Sequence, residues 1–455
     1  MKLKTSSLLV AAALFGSAVM PAQADNAAMM ELLKVLRDRG SITAQDYQML
    51  TNAAKADDAA MEADKEAMQA DAAEVKEAAA KLPKITTEGK LKFESPDGHW
   101  TFQPIGRVMW DAVDADADNY ADDFHGTELR RARLGFEGSI YDWGYKFESD
   151  FASGGASIKD AYVSYHHALD GSKLGVKIGQ SHIPFGFNTQ ASSKYMTFMD
   201  RPWYADSALS PARESGVVAK VSNHVWSVAS SLTIGEIEDG ETDEAVDGTT
   251  FALRGTYVPY MEDKEHIVQL GAGYMNVSSG KDGFSYSQHL VAHKDHTKIV
   301  SSETISEADF DGIDAFEGDV VGIYGPFSTL AEYNSFRAKS KMSNADINID
   351  SYSIEAAYFL TGESMKLKHG YWSGIKPKSP YGAWQVGARY ESMDIDGDAA
   401  AGDDKADKWT VGLNYYPTQN TRLMLNYDKV LNWDEDGADT GSEPSSVKFR
   451  AQAYW

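Results

Sequence analysis

The chain has 455 residues, a formal charge of −25 from 43 Lys and Arg against 68 Asp and Glu, and no Cys. The acidity argues against a nucleic-acid partner, which needs a basic face, and the missing thiols exclude disulfides, thiolate metal sites and a cysteine nucleophile. With 23 Tyr, 18 Phe and 10 Trp but only 43% hydrophobic residues, the balance suits a large sheet with one wet face rather than two or three globular domains.

Residues 1–24 read as a cleaved secretory signal peptide. Lys2 and Lys4 give a positive start, Leu8 to Met20 is a short apolar run, and Ala22-Gln23-Ala24 offers small residues to a signal peptidase. The run is shorter than the roughly 20 residues of a spanning helix, and nothing later reaches that length. A membrane crossing then falls to strands closed into a barrel, where every backbone group finds an internal partner. Residues 25–82 read as a periplasmic helical or coiled-coil segment. A short helix runs from Met30 to Arg39, stopped by Gly40, and a second from Ser41 to Leu50, with Thr43 and Asp46 placed as a capping pair. Beyond Ala53 the chain is mostly Ala, Glu, Asp and Lys, and Met61, Met68, Val75 and Leu82 recur every seven residues. That spacing fits a coiled coil or a solvated spacer helix. Residues 83–99 read as a linker.

From residue 100 to 455 the period changes to two. Arg131, Arg133, Gly135 and Glu137 oppose Ala132, Leu134 and Phe136; Lys146, Glu148 and Asp150 oppose Tyr145, Phe147 and Phe151; Thr410 and Asn414 oppose Val411 and Leu413. Segments of about ten residues match a tilted strand crossing the hydrocarbon layer. Tight turns near 141–144, 168–172, 222–225, 324–327 and 416–420 alternate with longer connections near 112–126, 181–213, 236–248, 278–315, 394–407 and 433–445. The expected fold is all-β, a 16-stranded antiparallel transmembrane β-barrel, with 18 strands if residues 86–94 or 285–293 pair. The last strand, with Phe449, Ala451, Ala453 and Trp455 on one face, ends on an aromatic.

By strand parity Arg107, Arg131, Arg133, Arg254, Arg389, Arg422 and Arg450 face away from lipid, where a charge would cost about 2–4 kcal/mol. They either pair with inward acids such as Glu137, Glu148, Asp150 and Glu391 or line an anion path, and the two readings are compatible. Residues 181–214, with Pro184, Gly186, Lys194, Arg201, Trp203, Tyr204 and Arg213, are expected to fold inward and narrow the pore.

The stretches GTELRRARLGFEGSIYDWGYKFESDF at 126–151, KIGQSHIPFGF at 177–187, SSKYMTFMDR at 192–201, YFLTGE at 358–363, GAWQVGARYESMDI at 382–395 and VGLNYYPTQNTRLMLNYDKV at 411–430 resemble the phosphate-selective porin family, porins O and P. The resemblance implies a 16-stranded barrel, a homotrimer, and anion diffusion past basic residues of the strands and third loop. On matching positions Arg131, Arg133, Lys194 and Arg201 would line the pore. The full candidate set is Arg107, Arg131, Arg133, Lys194, Arg201, Arg213, Arg254, Arg389 and Arg422. Acidic runs at 236–248, 301–319, 394–407 and 433–443, assigned to outer loops, oppose phosphate entry, so the family name does not fix the solute.

The expected function is an outer-membrane porin passing small hydrophilic solutes, with an anion preference. The alternative is a structural protein whose N-terminal helices tether the envelope toward peptidoglycan. His166, His167, His182, His289, His293 and His296 show no catalytic spacing, so no enzyme, cofactor or metal is expected. Outer-membrane lipid and lipopolysaccharide are the expected surroundings.

Overall fold

The computed structural model describes residues 26–118, 121–152, 154–206, 209, 211–235, 248–278, 283–289, 293, 298–302, 304–342, 346–397, 404–435 and 437–455. The signal peptide assigned to 1–24, the acidic run at 236–247 and His296 lie outside these residues. The chain divides after Pro83 into two compact units.

The first unit holds α1 (Asn26–Asp38) and α2 (Ala44–Ala80). The expected second helix and Ala-rich spacer are one helix of 37 residues, because strong helix formers run through the junction without Gly or Pro. Thr43 Oγ1 accepts from Asp46 N at 3.1 Å and Asp46 Oδ2 accepts from Thr43 N at 3.2 Å, a reciprocal cap for two otherwise unpaired amides. Met61, Met68, Val75 and Leu82 are all exposed.

The second unit is a ring of sixteen strands, each antiparallel to its neighbours: β1 (Trp100–Asp116), β2 (Phe124–Ile140), β3 (Trp143–Asp150), β4 (Ser157–Leu169), β5 (Ser172–His182), β6 (Arg213–Ser222), β7 (Trp226–Thr233), β8 (Thr250–Met261), β9 (His266–Val277), β10 (Phe310–Tyr324), β11 (Phe327–Ser340), β12 (Ile347–Phe359), β13 (Ala383–Gly397), β14 (Asp404–Thr418), β15 (Thr421–Glu435) and β16 (Ser445–Tyr454). β16 pairs with β1 from Ser445↔Asp116 to Tyr454↔Arg107 and closes the ring. Trp455 extends the seam with two backbone bonds to Gly106, at 3.1 and 3.2 Å. Its indole lies where a Cβ on Gly106 would sit, so a larger residue there would displace the ring.

The usual burial rule is inverted, as a lipid-facing wall requires. Leu134, Phe136, Ile178, Leu232 and Phe316 are exposed, while Gln385, Asn414, Arg422 and Arg450 are buried. The apolar band belongs to lipid and the polar face to the lumen. Closure satisfies the strand ladder with no free edge.

Four features depart from the sequence reading. The acids of 301–319 are not all on a loop. β10 begins at Phe310, so Glu317 and Asp319 are buried inside the ring and Asp314 faces outward. Segments 84–86 and 92–94 pair with each other, and 92–94 adds to the start of β1; segments 287–289 and 298–301 pair within a loop. Both pairings exist, yet neither adds a strand to the closed ring. Residues 262–265 form a tight turn that parity did not flag. Finally, residues 360–382 are long although they lie on the rim of short turns, where Asp170-Gly171 and Gly325-Pro326 need only two residues. This connection carries its own small hairpin, 366–368 with 371–373, and buries Met365, Trp372 and Ile375.

Candidate functional site

The described residues of the connection between β5 and β6, 183–206, 209 and 211–212, pack a core inside the ring. Ile183, Phe185, Phe187, Phe198, Tyr204 and Leu209 are buried, and Phe185 meets Phe336 of β11 edge-on at 5.9 Å. Wall side chains hold the loop backbone. Arg422 donates to the Met196 and Thr197 carbonyls at 2.5 and 2.9 Å, Arg450 to Met199 O at 2.6 Å, and Arg389 to Asp200 O at 2.9 Å. Glu332 accepts from Phe187 N at 2.8 Å and from Asn188 N and Nδ2 at 3.0 Å. Glu391 accepts from Trp203 N at 2.8 Å. Two further segments brace it: Gln288 Nε2 donates to Trp203 O at 2.8 Å, and Trp372 packs edge-on against Phe187 at 5.4 Å.

Between this loop and β1–β6 a cavity of about 1050 Å³ remains. Among the described residues, eight basic side chains line it: Arg107, Arg130, Arg131, Arg133, Lys146, Lys159, Arg201 and Arg213. Three acids of the described residues, Glu128, Asp150 and Asp160, share the lining. The acids are engaged. Asp150 takes Arg133 at 2.7 Å; Asp160 takes Lys146 at 2.7 Å and Arg213 at 3.0 Å; Glu148 takes Arg107 at 2.9 Å. Glu128 lies 3.2 Å from His293 Nδ1. Arg131 is different: it is 6% exposed, and among the described residues its only hydrogen-bond contact is Met109 Sδ at 4.0 Å. A buried guanidinium without a carboxylate holds unspent donors in a fixed planar fork. A second cavity of about 330 Å³, lined by Lys90, Lys92, Tyr162, Ser164 and His166, shares Lys146 with the first.

Of the nine sequence candidates, the structure gathers Arg107, Arg131, Arg133, Arg201 and Arg213 on the large cavity and places four elsewhere. Arg389 and Arg422 anchor the loop. Lys194 sits over the rings of Tyr195 and Tyr454 at 5.4 and 5.3 Å. Arg254 pairs with Glu317 and, at 2.5 Å, with Asp319. Arg201 also donates to Asn188 O and Ala191 O, so it shapes the loop as well as the cavity. Sequence reasoning missed Arg130 and Lys159, and both sit at β-bulges. Met109 opposes Arg131 and Trp110 opposes Leu129, leaving Arg130 as the extra residue. Glu148 opposes Asp160 and Ser149 opposes Ile158, leaving Lys159. A bulge resets the alternation, so parity counted from one end fails at these two positions. Lys146 was legible from parity. His182, His289 and His293 also reach the cavity, the last two from a loop whose inward course no periodicity announces.

Known proteins agree with this architecture. Residues 102–455 match a family described as phosphate-selective porin O and P. Porin O of Pseudomonas aeruginosa is 25% identical, over 78% of this chain and 90% of its own. The anion-selective porin of Comamonas acidovorans superposes with a TM-score of 0.51 at 14% identity, covering 78% of this chain and 100% of that one. The trimer form of OmpT from Vibrio cholerae gives a TM-score of 0.50 at 15% identity, covering 78% and 99%. Family and fold indicate a channel rather than an enzyme. A closed ring with a polar interior and an apolar outer band, and a family match over residues 102–455, mean that the chain belongs to the phosphate-selective porin O and P family and forms a channel in the outer membrane.

Proposed function

We propose that the channel favours anions, and that oxyanions of the phosphate class pass or rest against Arg131. The carrying observation is the large cavity, where basic side chains outnumber acids and one buried guanidinium has no carboxylate partner among the described residues. The net charge of −25 does not oppose this, because local potential in a narrow low-dielectric passage governs what enters. Lys146 continues the path toward Lys90 and Lys92 at the periplasmic end. Reversal potentials across a planar bilayer under a KCl gradient test the reading, with phosphate titrated into the chloride current. Chloride carrying the current, and phosphate reducing it, is the expected result; a potassium-carried current would remove the proposal.

The same reading extends to assembly. We propose a homotrimer that uses the outer face of β3–β7. These strands are short, 8 to 13 residues, and present Phe147, Val163, Ile178, Val217 and Leu232 outward. The opposite arc carries an outer row of rings, Tyr274, Tyr333, Tyr352, Tyr390, Trp409 and Tyr427, suited to a lipid headgroup boundary. The exposed heptad stripe of α2 would be covered if three copies associate. Native mass spectrometry measures the stoichiometry, and Ile178→Arg should release monomers.

A further inference from the structure

We infer that the inward loop 183–212, together with the connection 360–382, is an electrostatic partition that hides the carboxylates of β10–β12 from the permeant ion, with Glu332 as its positioning residue. This rests on the anion reading above. The cavity takes its wall residues from β1–β6 alone; none comes from β7–β16. On the far side, Glu317, Asp319, Glu332 and Glu355 point inward and each is 5% exposed or less. Among the described residues, the inward face of β8–β12 offers them one cation, Arg254, and the next strand sets Arg389 opposite Glu355. Left open to the lumen, that wall would attract cations.

Three contacts keep it closed. Glu332 ties the start of the loop's helical turn through the amides of Phe187 and Asn188 and through Asn188 Nδ2. Tyr371, from the connection 360–382, stacks over the Arg254 guanidinium at 5.7 Å. Phe185 and Trp372 complete an apolar seam with Phe336 and Phe187. Glu317, Asp319 and Glu332 are therefore met at short range by donors, and their field toward the conduit is weakened. Among the described residues Glu317 Oε2 and Asp319 Oδ1 have no hydrogen-bond partner, so these oxygens would take up water or cations once the cover moved.

The idea makes a prediction opposite in sign to charge counting. Removing the negative charge of Glu332 in a fixed loop raises anion preference or leaves it unchanged. If the loop is freed, the remaining wall holds three carboxylates and one guanidinium, and anion preference falls. The test is the anion-to-cation permeability ratio of the purified full-length protein in planar bilayers under a KCl gradient. Glu332→Ala should lower the ratio at least about twofold; no change, or a rise, overturns the partition. The double variant Phe185→Ala with Trp372→Ala changes no charge and should shift the ratio the same way; no shift there also overturns it. Adding Glu317→Gln, Asp319→Asn and Glu355→Gln to Glu332→Ala should restore the wild-type ratio or exceed it, and a ratio that stays low assigns the effect to something other than these carboxylates. Heat-modifiable gel mobility confirms that each barrel has folded. The wild-type ratio judges the anion reading by itself, since the partition is judged only by the change from it.

Discussion

The walls on either side of the inward loop have opposite chemistry and opposite access. The β1–β6 wall gathers arginines and lysines around open space. The β8–β12 wall gathers four carboxylates around one guanidinium and leaves them covered. Composition alone would rank the lumen as mixed. Cover, more than count, decides which charges a permeant ion meets. It also explains how a chain with an excess of acids can present a basic conduit.

The comparison can be broken most severely at Arg131. Arg131→Glu replaces a buried guanidinium that, among the described residues, lines the cavity without a carboxylate, and the anion-to-cation ratio should fall on the order of tenfold; a ratio within experimental scatter of wild type would remove Arg131 from the path. Next comes the wall itself. Leu134→Arg turns a charge toward lipid on the strand that already carries Arg133 inward, and should cost about 2–4 kcal/mol in folding into bilayers near mid-depth, while leaving selectivity of the folded fraction unchanged. Arg422→Ala deletes two charged hydrogen bonds to the loop, each of about 1.5–3 kcal/mol at most. Its expected signature is greater open-channel noise with a smaller change in mean selectivity. The smallest effect lies outside the ring and serves as a control. Hydrogen bonds from Thr43 hold the Asp46 carboxyl below its usual range, so the cap is complete above the unfolded-state pKa and is lost as pH falls through the lowered folded value. Protection factors for hydrogen exchange at residues 44–47 in the full chain, taken relative to the intrinsic rate at each pH, should fall on acidification. Asp46→Asn should flatten that response without touching conductance.

Much of this fold was legible because a barrel wall imposes strict alternation. Leu134 and Phe136 outward, with Arg131 and Arg133 inward, needed only parity. Strand count followed from the spacing of turns, and the inward loop from a run of rings and prolines too long to be a simple connection. What escaped was whatever breaks alternation. Arg130 and Lys159 are extra residues at bulges, and Glu317 and Asp319 sat inside a run of acids that looked like solvated loop. The connection 360–382 defied the expectation of short turns on its rim. Partnership was also invisible: parity placed Arg389 and Arg422 inward correctly, yet their engagement with loop carbonyls depends on a three-dimensional path that one-dimensional periodicity does not encode.

The bulge at Arg130 has one more consequence. Because it is the surplus residue between two regular stretches of ladder, its removal would heal the pairing of β1 with β2 rather than shift it. Leu129 would stay toward lipid and Arg131 toward water. Most single-residue deletions in a strand turn everything on one side of the cut inside out. Here a positive charge can be gained or lost by insertion or deletion with every neighbour's facing preserved, which makes this point of the strand a place where the channel's charge can change in whole steps.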